Sequence, residues 1–527
     1  MFRAAKLGRK VSKDFFREQV PELRTALLEA QAAIKGGRTA VVVVIAGVEG
    51  AGKGEVVNRL NEWLDTRGVQ THAFWDETDE ESARPRYWRF WRALPARGEI
   101  AIHFGGWYLE PIEHRYQGTC TDTDLDEELA RIAQFERMLI EDGALVVKFW
   151  FHLAELEQKK RLKELARDDR SRWKMLPNRA KFSEEYNRFE QIAERVIRHT
   201  DTGIAPWFLI EATDRRYRDL TAGQTLLRAL RGRLEHPEPL PPVPLSTAPS
   251  LPTAPEAQVT LIDRMDLEQH LEVQDYALLL KKLQDELNEK AWSAYKAKRS
   301  TVLVFEGVDA AGKGGTIRRI TTAVDARLYR TITVAAPTDE EKAHHYLWRF
   351  WRHIPRHGYI TVYDRSWYGR ILVERVEGFA KHAEWQRAYN EINDFEEQLT
   401  ESGVIVIKFW MQISKEEQLK RFQERTDTPY KQHKITDEDW RNRDKWDDYK
   451  LAVNEMVIRT STEYAPWHLI PGDDKRHARV EVLRTIAKRL ESALAAEKAS
   501  PVIGPAGSPC RRRRVSVIDA GPQSVKK

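Results

Sequence analysis

The chain has 527 residues, 41% of them apolar and 32% charged, and a net charge of only +5. That length exceeds one ordinary core, and the near-neutral balance gives no global reason to bind nucleic acid or a membrane. Cys120 and Cys510 lie too far apart for a metal motif or a disulfide framework. The longest apolar run, Ala40–Ala46, falls far short of the ~20 residues that span a bilayer. The N-terminus is basic without an apolar stretch, so no secretory signal and a cytoplasmic location are expected.

In chain order, the apolar spacing predicts an amphipathic helix from Asp14 to Ile34, interrupted at Pro21. Strand-like runs follow at Ala40–Ile45, Val69–Phe74, Glu99–Phe104, Ala144–Phe151 and Trp207–Ile210. Helical segments separate them, among them Pro85–Arg92 and Leu125–Glu141. Residues 236–256 hold eight prolines, which remove donors and fix φ, so this stretch reads as an extended linker. Strands then recur at Thr301–Phe305, Thr331–Ala335, Tyr359–Tyr363, Val404–Ile413 and Trp467–Ile470, and a closing helix runs from Asp473 towards Ala495. The tail, residues 496–527, carries Arg511–Arg514 and is expected to be disordered. Strands alternating with helices imply an α/β fold, a parallel sheet covered on both faces.

The chain repeats itself. Gly47-Val-Glu-Gly-Ala-Gly-Lys-Gly54 returns as Gly307-Val-Asp-Ala-Ala-Gly-Lys-Gly314, an offset of 260. The same offset pairs Trp88-Arg-Phe-Trp-Arg92 with Trp348-Arg-Phe-Trp-Arg352, Trp107-Tyr108 with Trp367-Tyr368, and Lys148-Phe-Trp150 with Lys408-Phe-Trp410. Residues 1–235 and 257–495 are therefore two copies of one domain, in tandem. The Trp-Arg-Phe-Trp-Arg blocks occur in both copies, which favours packing over substrate contact. His344, His345 and His357 have no metal-ligand spacing.

A strand, a glycine-rich turn and a helix carrying a lysine make a phosphate site. Backbone N–H groups and the positive end of the helix converge on the oxygens, and Lys313 adds a full charge. The loop residues are Gly307, Ala310, Ala311, Gly312, Gly314, Gly315 and Thr316. Gly314 stands where such loops place a metal-binding Ser or Thr, so Asp309 is the expected substitute ligand. Asp364, at the end of the third strand of the second copy, is placed as a second carboxylate for Mg²⁺, with Mn²⁺ an alternative. Arg365 and Arg370 follow it as phosphate grips.

The first copy diverges at these places. Its loop keeps Gly47, Gly52, Lys53 and Gly54, with Glu49 for Asp309. Phe104, Gly105 and Glu110 stand for Asp364, Arg365 and Arg370, so its transfer chemistry is expected to be broken. After the fourth strand of the second copy, Arg421, Arg425, Lys431 and Lys434 are expected to belong to a basic lid. Arg161 and Lys174 keep two of these cations in the first copy, while Leu165 and Ser171 replace the others.

Phe305-Glu-Gly-Val-Asp-Ala-Ala-Gly-Lys-Gly-Gly-Thr316, followed by Tyr363-Asp-Arg-Ser-Trp-Tyr-Gly-Arg370, closely resembles the polyphosphate kinase 2 family. The resemblance implies a thymidylate-kinase-like P-loop fold, three-layered α/β/α with a helical lid. It also implies Mg²⁺-dependent transfer from inorganic polyphosphate to AMP, giving ADP. It places Asp309, Gly312, Lys313, Gly314, Asp364, Arg365 and Arg370 on the family's loop and second-carboxylate positions. Arg421, Arg425, Lys431 and Lys434 fall on its lid. The first copy would be a structural partner in an intrachain pseudo-dimer, and higher homo-oligomers stay open. Rival readings are transfer to ADP or GDP, an ATP-dependent nucleoside-monophosphate kinase, and a non-catalytic binder of polyphosphate or nucleotide.

Overall fold

A computed structural model describes residues 1–167, 185–237, 260–429, 432 and 435–499. The central strand of each copy is a nearly unbroken apolar run, β1 (Val41–Gly47) and β6 (Thr301–Gly307), with only the last glycine of each incompletely buried. Such a run suits a strand with neighbours on both sides and helices on both faces. The first copy adds β2 (Val69–Ala73), β3 (Ile100–Phe104), β4 (Leu145–His152) and β5 (Trp207–Glu211). The second adds β7 (Tyr329–Thr333), β8 (Ile360–Asp364), β9 (Ile405–Gln412) and β10 (Trp467–Pro471). The sheets run β2-β3-β1-β4-β5 and β7-β8-β6-β9-β10, with every named pairing parallel.

In the first copy, helices Lys13–Lys35, Lys53–Trp63 and Arg215–Glu235 pack together, while Asp122–Glu141 packs with Tyr186–Thr200. The second copy repeats this plan, confirming two α/β layers-on-sheet domains in tandem. Three expectations need adjusting. Pro21 does not interrupt its helix, which runs unbroken from Lys13 to Lys35. Pro21 lies on the exposed face, where water can serve the carbonyl its missing N–H leaves free. The Pro85–Arg92 segment is helical only over Trp88–Arg92, preceded by a turn in which Trp88 N–H bonds Pro85 O. Strand β7 starts two residues earlier than the apolar run suggested, because it lies at the sheet edge and is paired only with β8. Most of the proline-rich linker and the arginine-bearing tail lie outside the described residues.

The copies meet about a pseudo-two-fold axis. Arg97 N–H donates to Ala343 O (2.7 Å), and His357 N–H donates to Ala83 O (2.8 Å). The offset of 260 turns one of these bonds into the other, the signature of an isologous contact. At the junction Trp91 stacks on Trp351 (5.8 Å between centroids, 17° between planes), and buried His345 flanks Trp91 at 5.3 Å. The tryptophan blocks are thus packing elements, as their presence in both copies suggested. Asp394, on the second copy's helix His382–Glu401, is pushed up to about 7 by burial, with Gln134 and Arg137 of the first copy pulling the other way.

Behind each site lies a buried ion pair. Lys408 Nζ donates to Glu396 (2.7 Å), to Tyr368 OH (2.8 Å) and to Thr460 O (2.7 Å), and Trp367 Nε1 donates to the same glutamate (3.1 Å). In the first copy Lys148, Glu136, Tyr108, Thr200 and Trp107 repeat this network. Lys408→Met should cost roughly 3–5 kcal/mol in chemical denaturation by stranding Glu396, and Lys408→Met/Glu396→Gln should recover part of it, because the neutral amide oxygen can still accept from Trp367 or Tyr368. Asp394 gives a pH-dependent test. Its carboxyl titrates higher in the folded chain than in the unfolded one, so its favourable contribution is complete at acid pH and is lost as pH rises through about 7. Asp394→Asn should therefore stabilise the protein by roughly 1–3 kcal/mol at pH 8 and little at pH 4. Equal effects at both pH values would contradict the assignment.

Candidate active site

The phosphate loop leaves β6 at Gly307 and enters the helix Lys313–Ala323 through Gly312, whose φ is +104°. Gly307 has no room for a side chain, since a Cβ there would lie 2.4 Å from Met411 O. Lys313 Nζ folds back onto Gly307 O (2.5 Å) and Val308 O (3.3 Å) and makes no ion pair with the described residues. Thr316 is buried and spends its hydroxyl on Gly312 O (3.2 Å). The loop hydroxyl is thus engaged, and the acids expected beside it are Asp309 and Asp364.

They are in place. The parallel register sets Asp364 beside Phe305, and Arg365 N–H donates to Phe305 O (3.1 Å). Asp309 is held on both carboxylate oxygens, by Arg365 (3.3 Å) and by Asn442 Nδ2 (2.8 Å). Tyr449 OH donates to Asn442 Oδ1 (3.1 Å), and Gln418 Nε2 donates to Asp309 O (3.1 Å). Burial pulls the Lys313 ammonium below its ordinary value, while Asp309, Asp364 and Glu306 oppose that and Arg365 adds to it. Burial also pulls Arg365 down, but Asp309, Glu306 and Glu438 outweigh it and its pKa is raised. The second carboxylate, the loop lysine and the arginine thus share one electrostatic field.

A cavity of about 300 Å³ opens from this cluster. Asp309 and Arg365 stand in its polar wall, and Leu372, Trp410, Ile413, Trp446 and Val453 line its apolar part. Ile262 and Met265 also belong to its lining.

The profile of Polyphosphate kinase 2 (PPK2) matches residues 10–237 and again 270–498. The chain belongs to the polyphosphate kinase 2 family. It is 50% identical over 499 residues to the polyphosphate:AMP phosphotransferase of Pseudomonas aeruginosa, covering 94% of this chain and all of that one. It is 47% identical to the enzyme of the same name from Pseudomonas syringae pv. tomato, again over 94% of this chain and all of its relative. A crystal structure described as a polyphosphate kinase 2 of Pseudomonas aeruginosa superposes with a TM-score of 0.83 at 48% identity, over 94% of this chain and 99% of that one.

In the first polyphosphate kinase 2 domain the equivalent site has neutralised itself. Lys53 Nζ bonds the loop carbonyls and also Glu49 (3.2 Å), whose extra methylene lets it reach the lysine. Glu55, where the second copy has Gly315, is gripped at the loop by buried Arg218 (3.0 Å). Phe104 takes the register position of Asp364, and the remaining cavity of about 40 Å³ is lined by Phe74, Trp75, Phe104 and Leu109.

One expected role needs correcting. Arg421 is not a mobile lid residue, because it is buried and donates to Glu417 (2.7 Å), Ala310 O (3.0 Å), Gly472 O (2.8 Å) and Asp473 O (2.8 Å). It braces the loop from beneath, as Arg161 does in the first copy, bonding Gly50 O, Ala212 O and Thr213 O. Arg370 pairs with Glu374 (3.0 Å) over the Tyr346 ring and is absent from the cavity wall. Glu110, its counterpart, pairs with Arg86, which stands where the second copy has Tyr346. That difference is a local rearrangement of charge with its own compensation. Arg425 lies within 4.0 Å of Asp439, on the short helix Asp437–Asp444. Lys431 and Lys434 lie outside the described residues.

Sequence reading missed Glu306, Ser366, Asn442 and Tyr449. Ser366 Oγ donates to buried Glu306 (2.8 Å), whose pKa burial raises. Ala46 and Gly106 occupy these positions in the first copy, so the contrast between copies held the signal.

The backbone separates the copies too. Ala310 (φ +64°) and Arg365 (φ +64°) adopt the left-handed region, and the first copy has Gly50 and Gly105 there. Side chains in that region cost about 1–2 kcal/mol each, and such strain gathers at functional sites. Ala310→Gly should therefore raise stability in denaturant by about 0.5–1 kcal/mol, after the added freedom of the unfolded chain is subtracted. A loss of stability would show that this residue is not strained.

Proposed function

We propose that this protein is a polyphosphate:AMP phosphotransferase, moving the terminal phosphoryl group of inorganic polyphosphate to AMP to give ADP. One observation carries the reading: a largely apolar cavity reaches Asp309 and Arg365, whose charges, with that of Asp364, act on the loop lysine Lys313. A polyanionic chain gains nothing from an apolar wall, whereas a purine ring and ribose do. The cavity is assigned to the nucleoside of the acceptor, with its phosphate at Arg365. The donor approaches over the phosphate loop. Relatives named for this reaction, aligned along their entire length, support the choice of AMP.

In the transfer, the bond from the terminal phosphorus to its bridging oxygen breaks. A new one forms to an oxygen of the AMP phosphate, and the shortened chain leaves as an anion. Such chemistry asks the protein chiefly for alignment and for charge that offsets the repulsion of two polyanions. Lys313 steadies the transferring group, and Arg365 orients the acceptor. Asn442 and Arg365 fix the direction of Asp309.

The acids fit Mg²⁺, with Mn²⁺ an alternative. The Asp364 carboxylate accepts no hydrogen bond from the described residues, and Asp309 faces the same cluster. Among those residues no three metal-binding side chains converge. That suits an ion which takes one or two carboxylates and completes its shell with water and phosphate oxygens. When bound, the ion supplies charge neutralisation between donor and acceptor.

The test offers purified protein polyphosphate or ATP as donor and AMP, ADP, GMP or GDP as acceptor, with products resolved by chromatography. Polyphosphate with AMP should give the highest kcat/KM. Lys313→Ala should lower kcat at least ~100-fold. Lys53→Ala should stay within about threefold of wild type, because Glu49 already holds that ammonium. Equal losses from the two substitutions would overturn the division of labour, and binding without turnover would favour the non-catalytic reading.

A further inference from the structure

We propose that Ile262 is a specificity-determining wall of the acceptor pocket, and that the first copy lost its own pocket to an aromatic plug at the equivalent place. The inference rests on the assignment of the cavity to the nucleoside. It begins from an equivalence inside the chain. The offset of 260 pairs Ile262 with Phe2, Gln412 with His152, and Trp446 with Tyr186.

In the first copy these three residues form a cluster around a stacked pair. Phe2 lies flat on His152, with centroids 4.2 Å apart and planes 7° apart. Tyr186 OH lies 3.0 Å from His152 Nε2 and donates to Leu153 O (2.7 Å). All three are buried, and the small cavity of that copy reaches none of them. In the second copy the space is open. Gln412 folds back, donating to Ile413 O (2.8 Å) and accepting from Trp410 Nε1 (2.9 Å). Ile262, Gln412 and Trp446 all line the cavity that begins at Asp309.

The wall is latched. Asp263 pairs with Lys450 (2.5 Å), Leu261 N–H donates to Asn454 Oδ1 (3.0 Å), and Thr260 Oγ1 donates to Asp263 (2.9 Å). Ile262 is buried and held by neighbours on both sides, so it presents a fixed surface to whatever fills the pocket. A volume of about 300 Å³ is at the lower end for small-molecule sites, so a ring intruding from this wall takes space the ligand needs. The segment bearing Ile262 lies just beyond the linker. The acceptor pocket of the catalytic copy is therefore completed by chain outside its strand–helix core.

Transplanting the stack tests the assignment. In the full-length protein, Ile262→Phe/Gln412→His should raise KM for AMP at least tenfold. The kcat at saturating AMP should stay within about threefold, and KM for polyphosphate within about twofold, since the chemistry and donor side are untouched. A folded double variant with unchanged KM for AMP, or with both KM values raised alike, would overturn the proposal. Should the double variant fail to fold, Ile262→Cys in a Cys510→Ser background decides. AMP alone should slow its alkylation by N-ethylmaleimide at least fivefold, and short polyphosphate alone should not. Absent protection by AMP overturns the proposal. A wild-type chain that phosphorylates no AMP overturns the underlying assignment, and this inference with it.

Discussion

The arrangement of the site depends on an ion pair that never meets substrate. Lys408 and Glu396 are fully buried, and they are compensated by one another, a tyrosine hydroxyl, an indole N–H, one main-chain carbonyl and the faces of Tyr368 and Trp467 over which the ammonium lies. Breaking such a pair is costly because the remaining charge has no alternative partner. Glu396 accepts from both Trp367 and Tyr368, the two residues that follow Asp364-Arg-Ser366. The buried charge therefore fixes the turn whose first residues carry the second carboxylate and its arginine. The first copy keeps the whole network although its turn reads Phe104-Gly-Gly106. Its primary role is thus to hold the turn to the sheet, and in the second copy that turn carries Asp364 and Arg365.

Having both copies in one chain separates what the fold needs from what the reaction needs. Arg161 and Arg421 brace their loops by the same main-chain bonds, so their shared presence reflects architecture. Ala310 and Arg365 are strained in the second copy and replaced by glycine in the first. The Glu306–Ser366 pair exists only in the second. Strain and a buried acid are expected to persist only where something beyond stability retains them. Their joint loss fits a domain released from chemistry.

Much of this was legible in the residues. A constant offset revealed the duplication, and alternating apolar runs located all ten strands to within a few residues. The loop and Asp364 could be placed because the end of a parallel strand beside a phosphate loop is a fixed location in such folds. Charge alone misled for Arg421. A sequence shows that a cation is present but not whether carbonyls or a neighbouring acid have already taken its donors. Asn442 and Tyr449 were invisible for a different reason: Asn442 reaches Asp309 from a helical region more than a hundred residues away, and Tyr449 acts on it through Asn442. Pro21 illustrates the weaker force of local rules, since one missing bond on a solvent face is outweighed by the helix's packing against Arg215–Glu235.

The surface between the copies gives the first copy a place in the fold that requires no transfer chemistry of its own. Its main-chain bonds obey the pseudo-two-fold, but its charges do not. Arg131 of the first copy meets Glu401 of the second (2.5 Å), whereas the symmetry-related positions hold Glu391 and Glu141. Glu141 titrates high, through burial first and the nearness of Glu391 second, and Arg387 offsets part of that. Asp142 accepts from Arg97 (2.6 Å) and Arg387 (2.9 Å), while its counterpart is the neutral Ser402. Two second copies facing each other would set Glu391 against Glu401 twice and lose both contacts to Asp142. Unlike surfaces that fit each other but not themselves are a specificity device, in which repulsion in the wrong pairing matters as much as attraction in the right one. The first copy has thus kept the shape of a kinase half while acquiring charges that suit only its partner.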